Sequence, residues 1–213
     1  MRFLTFPILL AACAFGQTTP AIDNDQVRAL VAHQQPHAKT PLHEHQFNRV
    51  MVYLQSGSEF FFYTNKAPAT MNFKAGEVQW SPAGGMHMAE ITSPEPVTIV
   101  EIELKKPGAK LSATGPLDPV VVDPKHYKVE FENDQVRVLR VKIGPHESTP
   151  EHQHALNRVV TYLTGQDIRV TSADGKVERA QHKAGEVVWS GPATHKEENL
   201  SDRLFEVIVV ELK

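Results

Sequence analysis

Six of the eleven histidines in this 213-residue chain fall into two sets with matching internal spacing. His43-x-His45 with His87 forms one set, and His152-x-His154 with His195 forms the other. In an extended strand, residues i and i+2 project from the same face, so each His-x-His pair aims two imidazoles at one point. A third imidazole from a later strand completes a facial three-nitrogen set suited to a divalent ion: Fe, Mn, Zn, Cu or Ni. The competing reading is that these histidines only satisfy hydrogen bonds at the mouth of a barrel. A single His-x-His is weak evidence for a metal. Two complete sets are stronger, because either copy was free to lose its own.

The two sets belong to an internal repeat, the sequence mark of a duplicated unit. Asn24-Asp-Gln-Val-Arg28 recurs as Asn133-Asp-Gln-Val-Arg137, and Asn48-Arg49-Val50 as Asn157-Arg158-Val159. Lys74-Ala-Gly-Glu-Val78 with Trp80-Ser81 recurs as Lys183-Ala-Gly-Glu-Val187 with Trp189-Ser190. Residues 24–54 and 133–163 align without a gap, with 17 identities in 31 positions. One residue is then lost, and His87 aligns with His195. The expected organisation is a leader over 1–16, a first domain over 17–104, a linker over 105–119 and a second domain over 120–213. The linker reading rests on the small and breaker residues of Lys105–Gly115.

Each copy reads as all-β. Lys128-Val-Glu-Phe-Glu132 and Glu101-Ile-Glu-Leu104 alternate apolar and charged residues, the period of a half-buried strand. Val136–Ile143 and Leu204–Leu212 are β-branched runs of strand length. Gly and Pro arrive about every ten residues, which favours a sandwich or barrel of short strands. Asn24-Asp25 and Asn133-Asp134 look like turn residues. Trp80 and Trp189 suit core or rim packing, with substrate stacking as the alternative, and Tyr53 and Tyr162 suit the core, with a phenolic hydrogen bond inside a site as the alternative. Phe60–Tyr63, present only in the first copy, is either a strand or cover for an interface.

Hydrophobic residues make up 41% and charged residues 22% of the chain, ordinary globular values. A net charge of −3 and an isoelectric point near 6.4 supply no basic surface for nucleic acid. No run of 18 apolar residues is present to form a membrane-spanning helix. Arg2 followed by an apolar stretch and Ala14-Phe15-Gly16 has the order of a Sec-type signal peptide, with Gln17 as the new N-terminus. Secretion or a periplasmic location is therefore expected. Leu10-Ala-Ala-Cys13 offers a second processing route, lipid anchoring through Cys13, and this lone cysteine forms no internal disulfide.

Around the histidines the chain resembles the cupin superfamily, specifically a two-domain bicupin. Gly76-x5-Pro82-x-Gly84-x2-His87 matches the second cupin motif through its histidine. Gly185, His195 and Asn199 fit the same motif in the other copy, with Pro192 displaced by one. His152-x-His154 followed by Gly165 fits the first motif. The resemblance spans residues 22 to 213 and implies two tandem cupin jelly-roll β-barrels, each with its site inside. It also implies a small-molecule ligand and is compatible with a homo-oligomer.

Two departures bear on function. The leading glycine of the first motif is His37 in one copy and His146 in the other, read here as turn residues. The motif glutamate is replaced by Arg49 and Arg158 in one register, or by Val50 and Val159 in the next. Arginine offers no lone pair and cannot coordinate. A guanidinium about 6 Å from a dication is repelled by roughly 5 kcal/mol at an effective dielectric of about 20. Three outcomes are open: the Arg is turned away or paired, an anion bridges it to a metal, or no metal binds. Arg49 and Arg158 are thus candidate anion-binding residues. The plainer reading is a salt bridge at the barrel mouth with Glu90 or Glu198. Three-His cupins occur among thiol and diketone dioxygenases, so the resemblance leaves dioxygenase, isomerase or lyase chemistry available, alongside a non-catalytic binding or structural role.

Overall fold

A computed structural model describes residues 17–109 and 114–213. The leader and Cys13 lie outside the described residues. The first copy runs β1 (Gln17–Asp23), β2 (Val27–Gln34), β3 (His43–His45), β4 (Arg49–Tyr53), β5 (Gly57–Tyr63), β6 (Ala69–Phe73), β7 (Val78–Ser81), β8 (Gly84–Ile91) and β9 (Val97–Leu104). A single helical turn, α1 (Pro119–Val122), precedes the second copy. That copy comprises β10 (Tyr127–Glu132), β11 (Val136–Ile143), β12 (His152–His154), β13 (Arg158–Tyr162), β14 (Gln166–Ser172), β15 (Val177–His182), β16 (Val187–Ser190), β17 (Ala193–Asn199) and β18 (Phe205–Leu212).

The strand order repeats with the sequence. The first copy has a five-stranded sheet β1-β2-β9-β4-β7 and a four-stranded sheet β3-β8-β5-β6. The second has β10-β11-β18-β13-β16 and β12-β17-β14-β15. Without the extra first strand, each copy is an eight-stranded, two-sheet jelly roll. Each pair of sheets encloses its own core: Met51, Tyr53, Phe73, Ile91 and Ile99 in the first copy, and Leu139, Val141, Ile168, Phe205 and Val207 in the second.

A third apolar cluster joins the copies. Val50, Val52, Val100 and Ile102 pack with Val138, Val159, Ile208 and Val210, all fully buried. The five-stranded sheets therefore carry apolar residues on the faces turned away from their own barrels. Trp80 and Trp189 are partly buried against this cluster, so they serve the seam between copies as well as the barrel rim.

The repeated motifs find their reasons here. Asn24 Oδ1 accepts from the backbone N–H of Gln26 and Val27 at 2.8 and 2.9 Å, and Asn133 Oδ1 does the same for Gln135 and Val136 at 2.9 and 3.0 Å. The following glutamine reaches across the seam. Asn48 donates to Gln135 Oε1 at 2.5 Å, and Asn157 donates to Gln26 Oε1 at 3.3 Å. This reciprocity is the signature of an isologous contact. Gly76 and Gly185 have φ of 77° and 83°, and a Cβ at either would meet Leu163 or Leu54 of the other copy at 3.3 Å. His37 and His146, which replace the motif glycine, hold the same left-handed region at φ 61° and 57°. They are turn residues under backbone strain.

One polar group sits in this apolar seam. Thr161 is fully buried and its Oγ1 has no hydrogen-bond partner. Its counterpart in the first copy is Val52. Thr161→Val removes an unsatisfied hydroxyl at nearly constant shape and is expected to stabilise the protein by about 1 kcal/mol. Chemical denaturation of the variant beside the parent checks this.

Candidate metal centre

Both His triads converge. The nitrogens offered by His43, His45 and His87 lie within 4.8 Å of one another, and so do those of His152, His154 and His195. The sheet register accounts for this: β3 pairs with β8 so that His43 faces His87, and β12 pairs with β17 so that His152 faces His195.

Four of the six imidazoles have their Nδ1 occupied by an oxygen. His43 Nδ1 donates to Pro41 O at 2.7 Å, His152 Nδ1 donates to Pro150 O at 3.0 Å, and His87 Nδ1 donates to Gly85 O. A carbonyl oxygen only accepts, so the proton resides on Nδ1 and Nε2 presents a lone pair. His154 Nδ1 donates to the fully buried Glu211 Oε1 at 2.8 Å. That carboxylate–imidazole pair is the arrangement that orients a metal-binding histidine. Burial depresses the pKa of His45 to about 3 and of His195 to about 4, and lowers those of His87 and His154. These four imidazoles are neutral at pH 7 and able to coordinate. The charge of Arg49 adds to the shift at His45.

The two arginines have separate fates. Arg49 is 6% exposed; its Nη1 donates to Glu101 Oε2 and its Nη2 to Ser81 Oγ, both at 2.8 Å. Arg158 is 7% exposed; its Nη1 donates to Gly191 O, and it forms no ion pair among the described residues. Neither meets the partner expected at the barrel mouth. Glu90 and Glu198 project from the opposite strand face, where Glu90 pairs with Lys39 at 3.1 Å and Glu198 with Arg169 at 2.5 Å. The salt-bridge reading thus holds for Arg49 with a different carboxylate, Glu101, and fails for Arg158.

Several residues that shape the sites were missed at the level of sequence. In the second copy, Glu197 lies two residues after His195 on β17, the spacing that shares a face. Its Oε1 is 3.7 Å from His195 Nε2. Tyr127, fully buried on β10, donates to Glu197 Oε2 at 3.1 Å and has its hydroxyl 3.0 Å from His152 Nε2. The His195-x-Glu197 spacing was a usable signal. Tyr127 had none, because the first copy has Thr18 at that position. In the first copy, Glu59 and Glu101 line a cavity of about 350 Å³ that also holds the triad. At the same positions the second copy has Ile168 and Val209, lining a cavity of about 210 Å³. Glu101 was readable only as part of an alternating strand. The charged face of β9 points into the barrel, since the apolar face is taken by the seam.

Comparison with profiles of known protein families gives no match, and comparison with curated protein sequences gives none. Solved structures do match. AerE from Microcystis aeruginosa superposes with a TM-score of 0.64 at 15% identity, covering 95% of this chain and all of that one. A cupin 2 conserved barrel domain protein from Leptotrichia buccalis gives 0.59 at 15% identity, over 94% of this chain and 90% of its own. Bacillus subtilis oxalate decarboxylase, in a study of its Mn(II) centres, gives 0.61 at 13% identity over 88% of this chain and 69% of its own. At these identities the likeness is one of fold, and the fold is that of the cupin barrels.

The carboxylates inside the first barrel make stability depend on pH. Burial, and then the neighbouring Glu101, push the Glu59 carboxyl up from 4.5 to about 7. Folding therefore favours its protonated form, so its contribution to stability is lost as pH rises from 4.5 through 7. Glu59→Gln removes this titration. The variant is expected to match the parent near pH 4 and to exceed it at pH 8 by up to about 3 kcal/mol. Urea unfolding of both proteins at the two pH values checks this.

Proposed function

We propose that the chain is an exported two-barrel cupin that takes up a divalent cation in its His triads and acts on a small anionic molecule. The observation that carries this reading is the convergence of three imidazoles in each barrel, with the lone pair on Nε2 where Nδ1 is held by a carbonyl or by Glu211. A neutral three-nitrogen donor set fits a divalent ion of the first transition series. Among the candidates Fe, Mn, Zn, Cu and Ni, the Mn(II) centres named for the oxalate decarboxylase that shares the fold make Mn(II) the first ion to load. Export rests on the signal-peptide pattern of residues 1–16.

His43, His45 and His87 would hold the ion in the first barrel, and His152, His154 and His195 in the second. A bound dication supplies Lewis-acid polarisation of a coordinated oxygen. The chain's own residues then divide the remaining work. Glu211 keeps the His154 proton on Nδ1 and so keeps its Nε2 aimed inward. Arg158 offers a buried guanidinium to an anionic group. Tyr127 and Glu197 share a proton beside the triad and are placed to give or take one at a bound ligand. In the first barrel Arg49 is already neutralised by Glu101, so its charge is not offered in the same way.

Elemental mass spectrometry on residues 17–213, with His45→Ala, His154→Ala and the double variant, tests the reading. Two metal ions per chain are expected in the parent, one in each single variant and none in the double. A parent that holds no metal after reconstitution would overturn it. Screening the loaded protein with small acids separates turnover from capture: ligand-dependent stabilisation without product identifies a binding protein.

A further inference from the structure

The two cavities share a His triad but not a lining. On the reading that the ligand is an anion, we infer that the second barrel takes a monocarboxylate with a compact branched apolar tail, and that the first barrel does not. The head-group site is Arg158, a buried guanidinium on the wall of this cavity with no ion-pair partner among the described residues. Burial works against its charge and the more distant Glu197 and Glu211 favour it; a bound carboxylate would add the charge-assisted hydrogen bond that neither of them makes. Its counterpart Arg49 has that place filled by Glu101 at 2.8 Å.

Away from Arg158, the triad and Glu197, most of the second cavity's lining is apolar. Val141, Val160, Ile168, Phe205, Val207 and Val209 line it. Its volume of about 210 Å³ is below the roughly 300 Å³ at which drug-sized pockets begin. A second carboxylate pushed against those side chains would be desolvated without a partner. The other charged groups nearby oppose it too. Glu197 already accepts from Tyr127, and on the tail side Tyr162 stacks on His182, which faces Glu186 at 3.0 Å. In the first barrel, Glu59 and Glu101 replace Ile168 and Val209, so an apolar tail would meet carboxylates there. The ligand class is thus a single negative charge joined to a few carbon atoms of branched hydrocarbon.

Isothermal titration of the metal-loaded protein with 3-methylbutanoate, acetate, succinate and 3-methylbutanamide tests this. The expected result is one equivalent of 3-methylbutanoate per chain, bound at least tenfold tighter than each of the other three. Arg158→Gln should weaken it at least tenfold, with Arg158→Lys recovering part of the loss. Ala180→Leu, which fills the tail end of the cavity, should weaken 3-methylbutanoate while leaving acetate unchanged. Acetate or succinate binding as tightly as 3-methylbutanoate would overturn the apolar-tail inference and leave the anion reading intact. The amide binding as tightly as the acid would overturn both. Unchanged binding in a folded Arg158→Gln, or two equivalents per chain, would overturn the assignment to the second barrel. If Arg158→Gln does not fold, the four-ligand series and Ala180→Leu decide.

Discussion

The apolar seam between the two five-stranded sheets is the constraint on which the rest of the molecule depends. A barrel of fewer than about 100 residues buries a limited share of its surface and would need an apolar interior to be stable alone. Here Val50, Val52, Val100 and Ile102 of one copy meet Val159, Ile208 and Val210 of the other. Part of the burial that stabilises the fold is thereby moved outside the barrels. The inner faces of the same strands are then free to hold polar groups. Arg49 shares β4 with Val50 and Val52, and Glu101 shares β9 with Val100 and Ile102. Without the seam, those charges would occupy the only core each barrel has.

Duplication preserved what the pseudo-twofold seam needs and released what it does not. The glutamines that cross between copies, the turn asparagines and the close-packed Gly76 and Gly185 are identical in both halves. So is the ion pair that joins β2 to β9 and β11 to β18: Arg28 with Glu103 at 2.5 Å and Arg137 with Glu211 at 2.7 Å. The interiors diverged instead. Glu59 and Glu101 of one barrel stand against Ile168 and Val209 of the other, and Ala89 stands against Glu197. Two triads of the same design therefore face different electrostatic surroundings.

The all-β architecture and the convergence of the histidines were legible because both depend on short-range spacing. His-x-His sets two side chains on one face whatever the rest of the chain does. The roles of the faces were less legible. Arg49–Tyr53 is buried at every position, so the strand presents no half-exposed period to read. Glu101-Ile-Glu-Leu104 has the right period, yet its charged side faces inward, because the apolar side belongs to a surface that exists only once the copies pair. The partner of Arg49 was misassigned for a related reason. Glu90 is close to His87 in sequence but on the wrong face, whereas Glu101 reaches Arg49 through the pairing of β4 with β9. Tyr127 had no counterpart in the first copy to mark it.

The segment that joins the barrels also builds the second site. Strand β12 lies at the edge of its sheet, where an unpaired backbone would be exposed. The N–H of Gln153, between the two histidines of that strand, donates to Leu117 O at 2.7 Å. The next residue, Asp118, caps α1 through Val120 N at 2.9 Å and accepts from Arg137 Nη1 at 2.6 Å. Arg137 in turn donates to Glu211, whose other oxygen accepts from His154. These charges are buried, and a buried ion pair is held at a desolvation cost that its hydrogen bonds must offset. Asp118, Arg137, Glu211 and His154 partner one another as a chain, although Arg137 Nη2 is buried without a partner. In the first copy, Glu103 has only Arg28 among the described residues, with 42% of that side chain exposed. His154 is thus held by a continuous buried network that begins in the connecting segment. The orientation of that histidine depends on how the two halves of the chain are joined.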